Sequence, residues 1–273
     1  MANTLENWLR AAPLPLPEAR ILLQHCTGLS RVQLLTRGRD ALGGDNEAAL
    51  AALVQRRLAG EPMAYIVGVR EFYGRTFIVN DAVLIPRPET EHLVEAALAR
   101  LPPQGRLWDL GTGSGAVAVT VALERPDVHV RASDISADAL AVAARNAASL
   151  GAKLEFAQGS WFAVDRPSET QVYDVVVSNP PYIEAGDVHL QQGDLRFEPQ
   201  QALTDFGDGL SCLRALAAGA PHVLKAGGWL LLEHGYNQGE AARALLVQHD
   251  FVEVATLPDL AGLDRITLGR KPA

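Results

Sequence analysis

Apolar and polar positions change period along the chain. Over residues 1–60 the apolar positions recur at helical spacing. Leu50, Leu53, Val54 and Leu58 share one face; Asp45-Asn46-Glu47 can begin that helix, and Gly60 then Pro62 close it. Upstream, Pro17 and Glu18 suit a first turn, with Ile21, Leu22, Cys26 and Leu29 as the apolar stripe. This stretch predicts a small bundle of three to five short helices. Over residues 69–80 the pattern shifts: Phe72, Tyr73, Phe77, Ile78 and Val79 are strand formers around Gly74-Arg75, which reads as a hairpin. A short apolar run, Val83-Leu84-Ile85, is then stopped by Pro86-Arg87-Pro88.

From residue 91 helical and strand patterns alternate. Helices are expected at 91–100, 115–125, 137–149, 208–220 and 238–249. Strands are expected at 106–110, 128–134, 153–158, 172–178, 228–233, 251–256 and 265–269, with a long loop over 179–206. Such alternation predicts an α/β, doubly wound, mainly parallel seven-stranded sheet. The last two strands lack a helix between them, so one of them runs antiparallel. The expected organisation is therefore a helical domain over 1–66, a hairpin and Pro-rich linker over 67–90, and an α/β domain over 91–273.

Composition narrows the class. Among 273 residues, 48% are hydrophobic and 21% charged, which is ample material for a core and argues against a disordered chain. No apolar run approaches the ~20 residues of a membrane span, and the opening MANTLENWLR lacks a secretory pattern. Two cysteines support neither a disulfide framework nor a Cys-rich zinc site. A cytoplasmic protein without membrane partners is expected. Residues 1–80 carry nine Arg against seven carboxylates, whereas the remainder is strongly acidic and the whole chain has a net charge of −8. That distribution argues against a direct nucleic-acid partner.

Chemistry concentrates in two segments. The first is Asp109-Leu110-Gly111-Thr112-Gly113-Ser114-Gly115, which leaves a strand and enters a helix. Glycines there let the backbone turn and approach a ligand, and the helix N-terminus offers free N–H groups. Asp134 ends the next strand, where a carboxylate can hold ribose hydroxyls. The spacing is GxGxG rather than the GxGxxG of dinucleotide binders. Asp109 would repel a pyrophosphate and attract a cation. S-adenosylmethionine, with a sulfonium, an amino group and no phosphate, fits these residues better than NAD. The competing reading is a purely structural Gly-rich turn.

The second is Ser178-Asn179-Pro180-Pro181-Tyr182, at the end of the Val-rich strand. Asn179 and Pro180 each precede a proline and are held extended. A proline carbonyl beside the Asn179 side-chain oxygen gives two fixed acceptors for the two N–H groups of a planar NH₂, with Tyr182 as a flat apolar face. An amide nitrogen is a poor nucleophile because its lone pair is delocalised. Two accepted hydrogen bonds favour electron density on nitrogen and fix its orientation, and transfer then depends on alignment. The proton can leave after the nitrogen becomes cationic, so no strong base is called for; no metal is called for either, and the seven histidines are scattered. A strand-ending turn is the bland alternative for this segment.

GTGSG, Asp134-Ile135-Ser136 and NPPY together resemble a class I adenosylmethionine-dependent N-methyltransferase. Glu71-Phe72-Tyr73-Gly74, Leu84 through Glu91, Glu198-Pro199, Asp208-Gly209-Leu210, Glu233-His234-Gly235 and Asp264-Arg265 narrow the resemblance to the release factor glutamine methyltransferase family, over nearly the whole chain. The resemblance implies methylation of the glutamine side-chain amide in the Gly-Gly-Gln loop of peptide chain release factors, with S-adenosylhomocysteine as the by-product. It assigns Asp109, Gly111, Thr112, Gly113, Ser114, Gly115, Asp134, Ile135, Trp161 and Asn179 to the cofactor. Asn179, Pro180 and Tyr182 become the catalytic residues, and Pro181, Arg87 and Glu89 join them around the substrate. Family members often carry a carboxylate before the aromatic residue at 161; here Ser160 stands in its place, so Trp161 stacking is expected to hold the adenine. Arg87 and Glu89 border the site or form a structural ion pair at the domain joint. Glu198-Pro199 either shapes the pocket mouth or is a turn. By the same resemblance the N-terminal helices bind the release factor. Methylation of a nucleic-acid base, dinucleotide-dependent oxidoreduction and a non-catalytic cofactor-binding role are the competing functions.

Overall fold

A computed structural model describes residues 3–164 and 172–273. Its contacts divide the chain into two units, Met1–Gly68 and Val69–Ala273. The first contains helices α1 (Leu5–Ala11), α2 (Leu16–Thr27), α3 (Arg31–Thr36), α4 (Gly44–Leu58) and α5 (Met63–Val67). Pro17 lies in the first turn of α2, as its fixed φ and missing N–H favour. Leu22, Leu23, Leu34, Leu50 and Val54 make the core of this unit. Two residues of the expected stripes face outward instead: Ile21 and Leu58 are exposed. The buried face of α2 is Ala19, Leu22 and Leu23, so the stripe lies one position away from Ile21.

The second unit opens with a hairpin of β1 (Val69–Phe72) and β2 (Arg75–Ile78), closed by Tyr73 and Gly74, both at positive φ. Positive φ at both turn residues matches the right-handed twist of the strands. The hairpin and Pro86–Pro88 fall inside this unit. Asn146, fully buried, explains the hairpin's attachment: its Oδ1 accepts from Ile78 N–H at 2.7 Å, and its Nδ2 donates to the carbonyls of Ile78 and Ser114.

The elements that follow are α6 (Glu91–Leu98), β3 (Arg106–Leu110), α7 (Ala116–Glu124), β4 (His129–Asp134), α8 (Ala137–Leu150), β5 (Glu155–Gln158), β6 (Tyr173–Ser178), α9 (Gln200–Leu203), α10 (Ser211–Val223), β7 (Leu224–Glu233), α11 (Gly239–Gln248), β8 (Val252–Pro258) and β9 (Asp264–Arg270). The sheet order is β5-β4-β3-β6-β7-β9-β8, parallel except for β9, which is antiparallel to both β7 and β8. Val175, Val176 and Val177 in β6 are fully buried because helices cover both faces of the sheet. The chain winds outward from β3 through β4 to β5, then restarts at β6 on the other side of β3. That reversal leaves a crevice at the carboxyl ends of β3 and β6. Among the described residues, no helix is long and apolar enough to cross a membrane.

Candidate active site

The crevice holds a cavity of about 320 Å³, and all of its lining comes from the second unit. The loop after β3 forms its floor. Gly111 and Thr112 N–H groups both donate to the Ser133 carbonyl, at 2.8 and 2.9 Å, which pins the loop to β4. Gly113 has φ +55, and its N–H donates to Asp134 Oδ2 at 2.9 Å. Gly115 has φ +81; a Cβ there would sit 3.1 Å from Ala143 Cβ and 3.2 Å from Val119. Glycine at that position lets α7 and α8 close on each other beneath the site.

Two carboxylates face this loop. Asp134 takes Gly113 N–H on one oxygen and Ser136 N–H on the other, leaving a lone pair on each. Burial pushes its pKa up, and those backbone donors pull it back. Asp109 is only 2% exposed and accepts from Thr112 Oγ1 at 2.6 Å. Burial pushes it up to about 7, the Thr112 bond opposing and the nearby Asp134 charge adding to the rise. A buried acid of this kind favours a cationic ligand over an anionic one.

Trp161 also lines the cavity and has φ +47, a left-handed conformation rare for a bulky residue. Its ring packs close to Gly111, where an added Cβ would lie 3.5 Å away. Ile135 and Ser160 line the cavity as well. The apolar, aromatic surface of Trp161 and Ile135 suits a purine, and Asp134's free lone pairs suit a vicinal diol. The open glycine loop beside Asp109 suits an amino-acid moiety carrying positive charge. The residues present therefore fit S-adenosylmethionine.

Asn179 and Pro181 also line the cavity, while Pro180, Tyr182 and Glu89 do not. Ser178 Oγ donates to the Leu110 carbonyl at 2.7 Å, fastening the end of β6 to the end of β3. Asn179 Nδ2 donates to Thr90 Oγ1 at 3.2 Å. Tyr182 is half-buried, and burial followed by the Glu233 charge pushes its hydroxyl pKa up. Its carbonyl accepts from Gln238 Nε2 at 2.9 Å, and the same amide donates to the Gly209 carbonyl. Gly209 allows that approach: at φ +74, an added Cβ would lie 2.5 Å from Tyr182 O.

Arg87 lines the cavity and is ion-paired with Glu198, whose side chain is fully buried. Glu198 also accepts from Ile85 N–H at 3.0 Å. Both ends of this pair lie in the second unit, so it fastens the segment after β6 to the Pro-rich strap rather than joining two domains. Glu198→Ala should destabilise the protein by about 1–3 kcal/mol, because it strips a buried partner from Arg87 and from a backbone N–H. Hydrogen exchange across 199–206 should then speed up, with exchange in α7 unchanged; equal rates in both proteins would refute the fastening role. Gln238 and Asn146 carry no signal that motifs reveal; Thr90 and Glu233 fall inside motifs that carry the family resemblance, which assigned neither of them a role. A polar side chain closing an otherwise apolar strand, as at Glu233, is a further hint.

The same fold occurs in solved methyltransferases. A methyltransferase from Pyrococcus furiosus aligns with a TM-score of 0.56 at 16% identity, covering 85% of this chain and 100% of that one. A Thermus thermophilus 16S rRNA N2 G1207 methyltransferase, solved with AdoMet and guanosine, aligns at 0.54 and 20%, covering 74% of this chain and 49% of that one. At these identities the likeness is one of fold alone. The methyltransferase small domain model matches residues 89–208, and the PrmC N-terminal domain model matches residues 3–68. Full-length relatives settle the family. The chain is 66% identical over 267 residues to the release factor glutamine methyltransferase of Neisseria gonorrhoeae (98% of this chain, 97% of that one). It is 51% identical to that of Bordetella pertussis and 44% identical to that of Escherichia coli K12, each match covering 97% of this chain and 98% of the relative. The chain belongs to the release factor glutamine methyltransferase family and is an adenosylmethionine-dependent protein-glutamine methyltransferase.

Proposed function

We propose that the cavity binds S-adenosylmethionine along the loop Gly111–Gly115 and brings the glutamine amide of a release factor's Gly-Gly-Gln loop against Asn179. Asp134 holds the ribose hydroxyls, Trp161 and Ile135 flank the adenine, and Asp109 faces the cationic amino-acid end. The bound cofactor supplies a methyl group on a sulfonium, which departs as the neutral thioether of S-adenosylhomocysteine. Asn179 Oδ1 and the Pro180 carbonyl accept the two N–H bonds of the substrate amide, orient its nitrogen and raise its electron density. The nitrogen gains one carbon–nitrogen bond and releases one proton to solvent. Tyr182, Pro181 and Arg87 shape the entry, with Glu89 beyond the wall. The N-terminal helices, with their slight excess of arginine, bind the release factor. We place the protein in the cytoplasm, with neither nucleic acid nor membrane as a direct partner.

One observation supports this reading most: Asn179 shares a single cavity with Asp109, Asp134 and the glycine loop. Mass spectrometry of a release factor incubated with the enzyme and cofactor should show a single methyl on the Gly-Gly-Gln glutamine, absent when that glutamine is replaced. Methyl incorporation into RNA, or into release factor lacking the glutamine, would overturn it.

A further inference from the structure

Glu233 ends β7 and is 1% exposed. Register pairs Ser178 with Leu232, so the next residues, Asn179 and Glu233, lie side by side at the carboxyl ends of two parallel strands. Thr90, itself buried, meets both: Asn179 Nδ2 donates to its hydroxyl oxygen, and Thr90 and Asn179 both favour the charged form of Glu233. Neither closes a hydrogen bond to Glu233 Oε2, which is buried without a partner. An orphaned carboxylate oxygen costs stability and calls for a reason.

We infer that Glu233 is a positioning residue that fixes which way the Asn179 carboxamide faces. An ionised carboxylate is acceptor-only. Beside it, the Thr90 hydroxyl must donate toward Glu233 and accept from Asn179. The chain of donors therefore runs from Asn179 Nδ2 through Thr90 to Glu233, and the Asn179 Oδ1 is left for the substrate amide. Protonated Glu233 is a donor, which permits Thr90 to donate to Asn179 Oδ1 and the carboxamide to turn over. A reversed carboxamide would present N–H to the N–H of the substrate. The charged and titratable groups around Glu233 are Arg265, Glu89, Tyr182 and, through Tyr182, Arg87. Burial raises Glu233 to about 7, with Arg265 opposing and Glu89 adding to the rise. The orientation thus depends on pH near neutrality. This inference deepens the proposed role of Asn179 and rests on it.

Glu233→Gln keeps the shape and adds a donor. It should lower kcat by about 10–100-fold, the usual loss for a group that orients another, with cofactor binding and KM for release factor unchanged. In the wild type kcat should rise with pH through about 7; in E233Q this limb should vanish, an outcome that a merely structural glutamate would not give. A readout independent of turnover is proton exchange of the Asn179 carboxamide by NMR without substrate: slow in the wild type above neutrality, fast in E233Q. If E233Q fails to fold, Thr90→Val cuts the same relay and must show the same fast exchange and lowered kcat. Wild-type carboxamide exchange in a folded E233Q or T90V protein overturns the inference. Fast exchange together with full turnover in E233Q would instead overturn the catalytic reading of Asn179 and leave the relay standing.

Discussion

Asn179→Ala is expected to lower kcat for release-factor methylation by about 10²–10³-fold, the range found when one preorganised hydrogen-bonding group is removed from an active site. The physical reason is that the amide nitrogen has no free lone pair in its resting form. Its reactivity therefore depends on acceptors that are already in place before the substrate arrives. Asn179 is held by Thr90 and followed by two prolines, so little reorganisation remains to be done when the amide binds. The Pro180 carbonyl survives the substitution, which leaves some orientation and keeps the loss short of complete. Cofactor affinity should change only slightly, since Asp134, Trp161 and the glycine loop are untouched, and the strand end stays anchored by Ser178. Single-turnover rates with saturating release factor, set beside calorimetric cofactor binding, separate the two effects. A variant that still turns over at the wild-type rate would remove Asn179 from the chemistry. One that loses cofactor binding in step with turnover would make it a cofactor residue only.

The order of strands and helices was legible because each element carries its own period and punctuation. Val175 to Val177 is a continuous apolar run and Leu107 to Leu110 is apolar apart from Asp109, as expected of strands covered on both faces, and GTGSG marks the turn between strand and helix. That one of the last two strands runs antiparallel followed from the missing helix between them, and the structure makes it β9. Side-chain direction at bundle surfaces was less legible: Ile21 satisfies a helical spacing yet points outward, because Ala19 and Leu23 claim the buried face. The long segment after β6 held two 3-10 turns and α9, whose contacts depend on partners far away in sequence. Glu198 illustrates the limit. Its sequence context reads equally as a turn or as part of the site, and the choice is settled by Arg87 and Ile85, more than a hundred residues away. Thr90 and Glu233 lie in motifs that carry the resemblance, yet their connection to Asn179 was hidden for the same reason. Thr90, Glu233 and Gln238 sit on three separate elements, and none forms a short-range motif with the residue it supports.

Asp109→Asn should make the empty protein more stable at pH 8 and weaken S-adenosylmethionine binding by about 10–100-fold, equivalent to roughly 1.4–2.8 kcal/mol of lost attraction. The sign of the stability effect follows from where the proton sits. Burial raises the Asp109 pKa to about 7 in the folded protein, from 3.8. Between these values the folded state binds a proton that the unfolded state has released, so stability falls as pH rises through that window. The shift is worth on the order of 2–4 kcal/mol once pH exceeds 7. Asparagine removes this titration while still offering an oxygen to Thr112. Glu233, also pushed to about 7 by burial, adds a fall of the same sign, so the difference between wild type and Asp109→Asn isolates Asp109. Unfolding followed from pH 5 to pH 8 should therefore show a shallower decline in the variant. The functional counterpart is that a cationic ligand draws the proton off Asp109. Calorimetry of cofactor binding at pH 7, repeated in buffers of different ionisation enthalpy, should then reveal proton release in the wild type and none from this site in Asp109→Asn. Equal affinity and equal proton release in both proteins would mean that the buried acid shapes the loop through Thr112 alone. The instability of an ionised Asp109 would then have no counterpart in binding.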